Sequence, residues 1–332
     1  MNLLKTLFKF LLAFGLIYWL VNSGKLDFAI LGEVLKSPLK VLVSAFSMLG
    51  VLCLVNWRYR IILAHKSEVV IPFFRLLKYN WIGMFFNSVL PGSVSGDFVK
   101  IFYIKDEDHS LTNKFMLGSI IIDRVLGLFG LIIILGLFTI FNYTELSNFS
   151  PDIKKLLDLN LFLFSCVILG LLSLFYFQDL PSLIVKPFRK IDILDKISIK
   201  LLGIWDNLCD FKNKMVFLTV ISTFLQLSSV IIFWFITKDF AEGDFPIKYA
   251  FSIIPVGFVA ISIPIAPSGL GVGHAVFHTL LGYIGIKNGA DLFNIYFFLV
   301  LSFNLLGAIP YLLSKTKKQI SFQNLDDHNG EI

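Results

Sequence analysis

Hydrophobic residues follow one another along this chain in runs long enough to cross a lipid bilayer. A spanning helix needs about 20 predominantly apolar residues. Six stretches approach or reach that length: 3–22, 39–57, 114–141, 160–177, 215–237 and 290–313. Two more apolar regions, 69–104 and 247–286, are interrupted by proline and glycine. The pattern predicts an all-α polytopic membrane protein with about six full spans and two broken helical segments.

Basic residues concentrate in a few of the loops between these stretches. They lie near the N-terminus, after the second span, in the 178–214 loop and after the last span: Lys5, Lys9, Arg58, Arg60, Lys66, Arg75, Lys78, Lys186, Arg189, Lys190, Lys196, Lys200, Lys212, Lys214, Lys315, Lys317 and Lys318. The loops 23–37, 142–159 and 238–246 are poorer in cations and contain several acidic residues. By the positive-inside rule we expect a multi-pass protein of the cell (inner) membrane with both termini in the cytoplasm.

This orientation constrains the two broken regions. Residues 58–113 must enter and leave on the cytoplasmic side, whereas 247–286 must enter and leave on the outer side. Segments 72–90 and 98–113 are too short or too polar for two good crossings, so re-entry from the cytoplasm is the better interpretation there. For 247–286, a re-entrant hairpin and a pair of short crossings both stay open.

The two interruptions resemble each other. The first reads LPGSVSGD (90–97) and the second IAPSGLGVGH (265–274). Proline and glycine end a first half-helix, and Ser93 or Ser95, and Ser268, are suitable N-caps for a second one. Two broken elements of opposite orientation are typical of transporters with a binding site at the midplane. Half-helix N-termini also favour an anion such as phosphate. The alternative is that each interruption is an ordinary loop at the membrane interface.

Three stretches carry a family resemblance: NSVLPGSVSGDFVKIFYI (87–104), IIDRVLGLFGL (121–131) and IPIAPSGLGVGHAVFHTLLGYIGI (263–286). In motif and spacing they resemble the lysylphosphatidylglycerol synthase transmembrane-region family, whose members are flippase-like. The positions that match the family pattern are Asn87, Pro91, Gly92, Gly96, Asp97, Asp123, Arg124, Pro267, Gly269, Gly271 and Val272. Ser95 replaces a glycine, Lys100 replaces an arginine, and His274 stands where many members carry glutamate.

The resemblance implies that this region moves a lipid between leaflets. In bifunctional relatives the corresponding part moves aminoacylated phosphatidylglycerol, and a separate soluble domain performs aminoacyl transfer. About 19 polar residues follow position 313, so no aminoacyl transfer is expected of this chain. We expect one integral membrane domain, 1–318, and a polar, disordered cytoplasmic tail, 319–332.

Two ionisable residues, Asp123 and Arg124, lie about ten residues into the span 114–141. Charges at that depth are costly unless they are paired or hydrated. Arg124 is the best phosphate ligand in the chain because its planar fork can hold two oxygens. Asp97 either caps a half-helix or holds Arg124 or Lys100 in place. The alternative for these charges is a buried salt bridge that only locks helices together.

The sequence therefore predicts a substrate-binding set and no catalytic residues. The set is Asn87, Pro91, Gly92, Ser93, Ser95, Gly96, Asp97, Lys100, Asp123, Arg124, Pro267, Ser268, Gly269, Gly271, Gly273 and His274. His274 either senses protons or is a packing residue. His278 lies one turn later, but no further ligand completes a metal set. No metal and no cofactor are expected.

Composition agrees with a membrane protein: 56% of the residues are hydrophobic and 16% are charged, with a net charge of +6. We attribute the excess of cations to the positive-inside rule and to anionic headgroups, not to nucleic acid. The leading hypothesis is a lipid translocase, not an enzyme, for a phospholipid or a polyprenyl-phosphate lipid. Two alternatives are a membrane enzyme acting on a lipid phosphate or lipid-linked sugar, and a non-transporting assembly partner. Homo-oligomerisation stays open.

Overall fold

The computed structural model describes residues 36–90, 94–177, 211–262 and 272–314, together with single positions between 195 and 209. These described residues are helical and include no strand. The helices are α1 (Pro38–Leu63), α2 (Phe73–Val89), α3 (Ser95–Glu107), α4 (Asn113–Leu146), α5 (Pro151–Tyr176), α6 (Lys212–Thr237), α7 (Ile247–Ser262), α8 (Val272–Gly282), α9 (Gly289–Leu305) and α10 (Ala308–Leu313).

Five of the six predicted spans are confirmed within these residues. Helices α1, α4 and α5 are each long and apolar enough to cross a membrane, as are α6 extended to Phe240 and the α9–α10 unit. The chain is therefore an all-α polytopic membrane protein. The predicted span 3–22 and the predicted tail 319–332 lie outside the described residues, and the domain boundary at 318 stays a prediction.

Local sequence explains where the long helices begin. Thr112 accepts a hydrogen bond from the Phe115 N–H at 3.2 Å at the start of α4. Ser150 accepts one from the Ile153 N–H at 3.2 Å at the start of α5. These are N-caps, which satisfy backbone donors that have no partner inside the helix. Proline occupies the first position of both α1 and α5, where its missing N–H has no cost.

Helices α2 and α3 form a hairpin whose open end lies beside the start of α4. Arg75, near the start of α2, pairs with Glu107, the last residue of α3, at 2.6 Å between Nη1 and Oε2. Tyr79 donates to the other oxygen of the same carboxylate at 2.6 Å. The chain therefore enters and leaves this hairpin at one end of the bundle.

Helices α7 and α8 form a second hairpin at the opposite end. The Asn288 side chain, after α8, donates to the Phe240 carbonyl before α7 at 2.8 Å. Lys248, at the start of α7, pairs with Glu145, near the end of α4, at 2.6 Å. The two broken segments thus enter the bundle from opposite ends, as the sequence predicted.

Helices α2 and α3 are each shorter than a bilayer crossing. They contain 17 and 13 residues. At 1.5 Å per residue the longer is roughly 26 Å, against about 30 Å of hydrocarbon. This length favours a re-entrant hairpin over two full crossings in this region. The described parts of α7 and α8 contain 16 and 11 residues, and for 247–286 a re-entrant hairpin and a pair of short crossings both stay open.

The long helices hold the hairpins in place. Helix α4 packs against α5, α6 and α7, and α6 also packs against α1. One hydrophobic cluster surrounds the α2–α3 hairpin and includes Ile82, Phe85 and Ile104. A second surrounds the α7–α8 hairpin and includes Phe233 and Phe277. Each hairpin is therefore anchored by its own apolar core, one at each end of the bundle.

Asp108 ties together the two loops at the open end of the α2–α3 hairpin. Its Oδ2 accepts hydrogen bonds from Ser67 Oγ at 2.6 Å and from the N–H groups of Glu68 and Val69 at 3.1 and 3.3 Å. Its Oδ1 accepts from Ser110 N and Oγ at 3.0 and 2.5 Å. Burial alone would raise the pKa of this carboxyl, but the hydrogen bonds outweigh it and lower the pKa to about 2.

This carboxyl predicts a specific acid sensitivity. Because its pKa is lower in the folded than in the unfolded protein, its stabilisation is present above about pH 4 and is lost as the pH falls towards 2. We expect the melting temperature of the wild type to fall across that window more than that of Asp108→Asn, measured by intrinsic fluorescence in detergent. The exposed neighbour Asp106 provides the control: Asp106→Asn should follow the wild type. Parallel curves for wild type and Asp108→Asn would contradict this role.

Candidate functional site

A cavity of about 380 Å³ lies where the inner ends of the two hairpins meet. Asn87 and Ser88, at the end of α2, line it together with Ile261 and Ser262, at the end of α7. Asn87 is 14 residues beyond the start of α2, roughly 21 Å along the helix axis. The described ends of the two broken segments thus approach each other at this cavity, while the breaks themselves, 91–93 and 263–271, lie outside the described residues.

The polar groups of the cavity come from helices of both hairpins and from two long helices. Asn304, on α9, donates from Nδ2 to Ser88 Oγ at 2.9 Å. Its Oδ1 is buried and has no hydrogen-bond partner among the described residues. Buried polar atoms are normally satisfied, so an unpaired carbonyl oxygen here indicates an acceptor that is available to a ligand.

Helix α6 contributes a polar stripe to the same region. Ser222, Gln226 and Ser229 are spaced at i, i+4 and i+7, which places them on one helix face. Gln226 and Ser229 line the cavity, and Gln226 Nε2 donates to the Gly127 carbonyl on α4 at 3.2 Å. The sequence analysis missed these residues, although polar residues at helical spacing within an apolar span are a detectable signal.

Asp97 binds two cations beside the hairpin. Its Oδ2 lies 2.6 Å from Arg124 Nη2, and its Oδ1 lies 3.6 Å from Lys100 Nζ. Of the two roles considered for Asp97, the structure shows the one that holds these cations. The Arg124 side chain is 39% exposed. Phe98, which follows Asp97, and Ile121, three residues before Arg124, are also exposed. This pair therefore lies at the lateral surface of the bundle, within reach of lipid.

Lys100 is held more tightly than Arg124. It is 5% exposed, and its Nζ lies 3.9 Å from the centroid of the Tyr59 ring. The Tyr59 hydroxyl in turn shares a hydrogen bond of 2.9 Å with Ser119 Oγ on α4. A carboxylate and a ring face both stabilise a buried ammonium. Lys100 is thus already satisfied within the protein, whereas the Arg124 side chain is more exposed.

Asp123 pairs with a residue that the sequence analysis assigned to a cytoplasmic loop. Arg58 approaches Asp123 Oδ1 with Nε at 3.0 Å and Nη2 at 2.9 Å, and its Nη1 donates to Ser222 Oγ at 2.7 Å. The assignment of Arg58 to a loop was wrong, because α1 continues to Leu63 and buries this arginine to 5% exposure. Asp123 neutralises its charge and makes the burial tolerable.

The N-terminus of α3 differs from the sequence expectation. Ser95 is the first helical residue, and Val94 occupies the N-cap position without a side-chain cap. The Gly96 N–H donates to Asn87 Oδ1 at 2.8 Å, and the Asp97 N–H donates to the Val94 carbonyl at 3.0 Å. These donors are used within the protein, and Asp97 adds a negative charge to the first turn. The geometry does not support a phosphate bound by the backbone N–H groups of Gly96 and Asp97.

Gly96 is required by helix packing. A Cβ atom placed on it would lie 1.8 Å from the Gly83 carbonyl oxygen on α2 and 2.6 Å from the Asn87 nitrogen. The sequence analysis placed this glycine in the substrate-binding set, where the lack of a side chain would let a headgroup approach closely. The structure shows that it lets the backbones of α2 and α3 come into contact.

Gly273 and His274 also pack within the protein. A Cβ atom on Gly273 would lie 2.1 Å from the Phe293 ring on α9. The half-buried His274 contacts the same ring edge-on, with 5.1 Å between ring centroids. Of the roles proposed for His274, packing is the one for which the structure shows a contact. Of the other predicted site residues, Pro91, Gly92, Ser93, Pro267, Ser268, Gly269 and Gly271 lie outside the described residues.

The predicted residues thus fall into two adjoining groups. Asp97, Lys100 and Arg124 form a charged cluster on one side. Asp123, adjacent to Arg124 in the chain, adds its ion pair with Arg58 to this cluster. Asn87 belongs to both groups, since it lines the cavity and accepts from Gly96 beside Asp97. Gln226 also links the cavity to the charged cluster. It lines the cavity, and it lies one helical turn from Ser222, which accepts a hydrogen bond from Arg58. The charged cluster thus borders a cavity whose described lining residues carry no charge.

Comparison with known proteins agrees with this architecture. A family model described as the lysylphosphatidylglycerol synthase TM region matches residues 6–310. No curated protein and no solved structure matches the chain. The matched range includes all described helices except the last few residues of α10. The chain, an integral membrane protein, therefore belongs to the lysylphosphatidylglycerol synthase transmembrane-region family.

Proposed function

We propose that this protein is a translocase that moves a phosphate-containing lipid, a phospholipid or a polyprenyl phosphate, between the leaflets of the cell membrane, with both termini in the cytoplasm. The observation that carries the proposal is the cavity at the meeting point of the two hairpin ends, whose largely apolar wall contains several amide and hydroxyl side chains. Its volume lies within the range of small-molecule sites. It can shelter the uncharged part of a headgroup while the lipid tails remain in the bilayer.

The charged cluster supplies a partner for the phosphate at the side of the bundle. Arg124 uses Nη2 to bind Asp97, and a guanidinium has five N–H donors in a planar fork. Because the Arg124 side chain is 39% exposed, we propose that a phosphate approaching from the lipid binds this guanidinium in exchange for part of its present contacts, while Asp97 keeps the side chain oriented. Such pairing reduces the cost of bringing a charged headgroup into the membrane interior.

The described structure supports transport without a covalent step. Asp97 and Asp123, the two carboxylates of the charged cluster, are each engaged by cations. Neither is therefore poised as a free general base, which an enzyme acting on a lipid phosphate would need. We propose that binding and release of the headgroup make up the whole cycle.

Replacement of Arg124 by lysine tests this proposal. Lysine keeps the charge but loses the fork, so one or more charge-assisted hydrogen bonds to the phosphate are lost, each worth about 1.5 kcal/mol or more. We expect the rate of lipid exchange in Arg124→Lys to fall about tenfold or more. The measurement is the accessibility of a tail-labelled fluorescent phospholipid to a membrane-impermeant quencher in proteoliposomes, normalised to folded protein.

The chain offers a matched control in Arg75, which makes an equivalent 2.6 Å contact with Glu107 at the open end of the hairpin. Arg75→Lys should exchange lipid at the wild-type rate. If Arg124→Lys also retains the wild-type rate, Arg124 does not bind the phosphate. Recovery of activity in the swapped pair Asp97→Arg with Arg124→Asp would likewise assign Arg124 to helix locking alone. Absence of exchange in the wild type would reject the translocase itself.

A further inference from the structure

The cavity and the charged cluster differ in chemistry. None of the described residues that line the cavity is ionisable below pH 9, and its polar side chains are amides and hydroxyls. The segments 91–93 and 263–271, which join the helices of the two hairpins, also contain no ionisable residue in the sequence. A charged group inside the cavity would therefore lose its hydration without gaining an opposite charge, which is strongly unfavourable.

The hydrogen-bonding atoms of the cavity are mainly acceptors. Asn304 Oδ1 is buried without a partner among the described residues. Gln226 uses its Nε2 to donate to Gly127, so its carbonyl oxygen is the atom best placed to receive a donor. The Tyr296 hydroxyl, also at the lining, can donate or accept. A ligand with several hydroxyl groups meets these requirements, because each hydroxyl both donates and accepts.

Aromatic rings form much of the remaining wall. Phe258, Phe293, Tyr296 and Phe297 all line the cavity, and the Phe258 and Tyr296 rings stack with centroids 5.4 Å apart. The C–H faces of a glycerol or sugar group pack against such rings, while the hydroxyl groups turn to the amides. An ammonium group has the donors but would lack a carboxylate to neutralise it.

We propose that the cavity is a subsite for an uncharged, hydroxyl-bearing headgroup moiety, either the terminal glycerol of phosphatidylglycerol or the sugar of a phosphate-containing glycolipid. This inference rests on the proposed function, which explains how the lipid reaches the cavity. It adds a selectivity between lipid headgroups. Headgroups that end in an ammonium, including aminoacylated ones, are disfavoured. The phosphate of a phosphatidylglycerol remains with Arg124, outside the neutral cavity.

Binding of short-chain lipids to the purified full chain in detergent tests this selectivity. The probes are phosphatidylglycerol, a glucosyl diacylglycerol and phosphatidylethanolamine with the same acyl chains, measured by native mass spectrometry. We expect phosphatidylglycerol, the glucosyl lipid or both to bind about tenfold more tightly than phosphatidylethanolamine. Comparison of the first two identifies the source of the hydroxyl groups. Equal or tighter binding of phosphatidylethanolamine than of both would overturn the proposal.

Two neighbouring serines on α6 provide a matched pair of variants. Ser229 lines the cavity, whereas Ser228 does not line it and bonds only to the Phe224 carbonyl of its own helix at 2.9 Å. Ser229→Phe should fill the cavity and abolish the tenfold preference, and Ser228→Phe should retain it. Tyr296→Phe, which removes a single hydroxyl group, should reduce the preference and provides a variant with almost unchanged packing. A preference retained in both Ser229→Phe and Tyr296→Phe would overturn the proposal.

The outcomes separate this inference from the translocase itself. Lipid exchange in proteoliposomes without any headgroup preference in binding would support the translocase and reject the neutral subsite. A headgroup preference that is lost in Ser229→Phe, without lipid exchange, would support the subsite and reject the translocase.

Discussion

Replacing Gly96 with alanine is expected to destabilise the folded protein by about 3 kcal/mol, the upper end of the range for overpacking. The added Cβ would lie 1.8 Å from the Gly83 carbonyl oxygen and 2.6 Å from the Asn87 nitrogen. Both obstacles are backbone atoms, so no side chain can rotate away to make room. Helices α2 and α3 must separate instead, and the bond from the Gly96 N–H to Asn87 is lost with them. The measurement is the melting temperature in detergent, read by size-exclusion chromatography after heating.

Gly170 on α5 is the control, because a Cβ atom there would have no other atom within 4 Å. Gly170→Ala should leave the melting temperature unchanged or raise it slightly, since alanine is favoured over glycine in a helix by about 0.5–1 kcal/mol. If Gly96→Ala is as stable as Gly170→Ala, the two hairpin helices are not in backbone contact. A close approach of the lipid headgroup would then again be the reason for this glycine.

The spans and the broken helices could be predicted from the sequence because they depend on distances along the chain. The apolar run 114–141 predicts a spanning helix, and the helix observed is Asn113–Leu146. Pro91 and Gly92 predict a break, and the helices on either side end at Val89 and begin at Ser95. Hydrophobic length and helix-breaking residues act locally, so no knowledge of packing is needed to interpret them.

The partners of the charged residues could not be predicted in the same way. In the sequence, Arg58 and Arg60 look like equivalent cations at the end of a span. Only the packing of α1 against α4 brings Arg58 to Asp123, while Arg124, adjacent to Asp123, turns to Asp97 on α3. Adjacent helical residues point about 100° apart, so a DR pair does not specify which neighbour each side chain meets.

The cavity was harder to predict from the sequence than the ion pairs. Tyr296 and Asn304 on α9 lie within a predicted span, and nothing in the hydrophobic pattern distinguishes a lining residue from a packed one. The stripe of Ser222, Gln226 and Ser229 is an exception, since its helical spacing could have been noticed. A void is a property of several helices together, so it appears only when α2, α6, α7 and α9 are seen in their mutual positions.

The ion pair of Arg58 and Asp123 leads to the second large expected effect. Arg58→Met is expected to cost about 3–5 kcal/mol of stability, because it leaves the Asp123 carboxylate among the helices without its cation. Both Arg58 nitrogens that approach Asp123 lie within 3.0 Å of Oδ1, and the third donates to Ser222. Methionine fills a similar length but satisfies neither partner. The melting temperature in detergent is again the measurement.

A double-variant cycle separates a true pair from two independent losses. Arg58→Met combined with Asp123→Leu should recover much of the stability lost in either single variant, since no unpaired charge then remains and apolar side chains replace both. Arg75→Met is the control for the loss of an arginine: its pair with Glu107 is half-exposed, and such surface pairs contribute about 1 kcal/mol or less. A double variant whose loss equals the sum of the two single losses would show that Arg58 and Asp123 do not act together. The contribution of Arg58 would then depend on its contact with Ser222 on α6 alone, and Ser222→Ala would be expected to reproduce the effect of Arg58→Met.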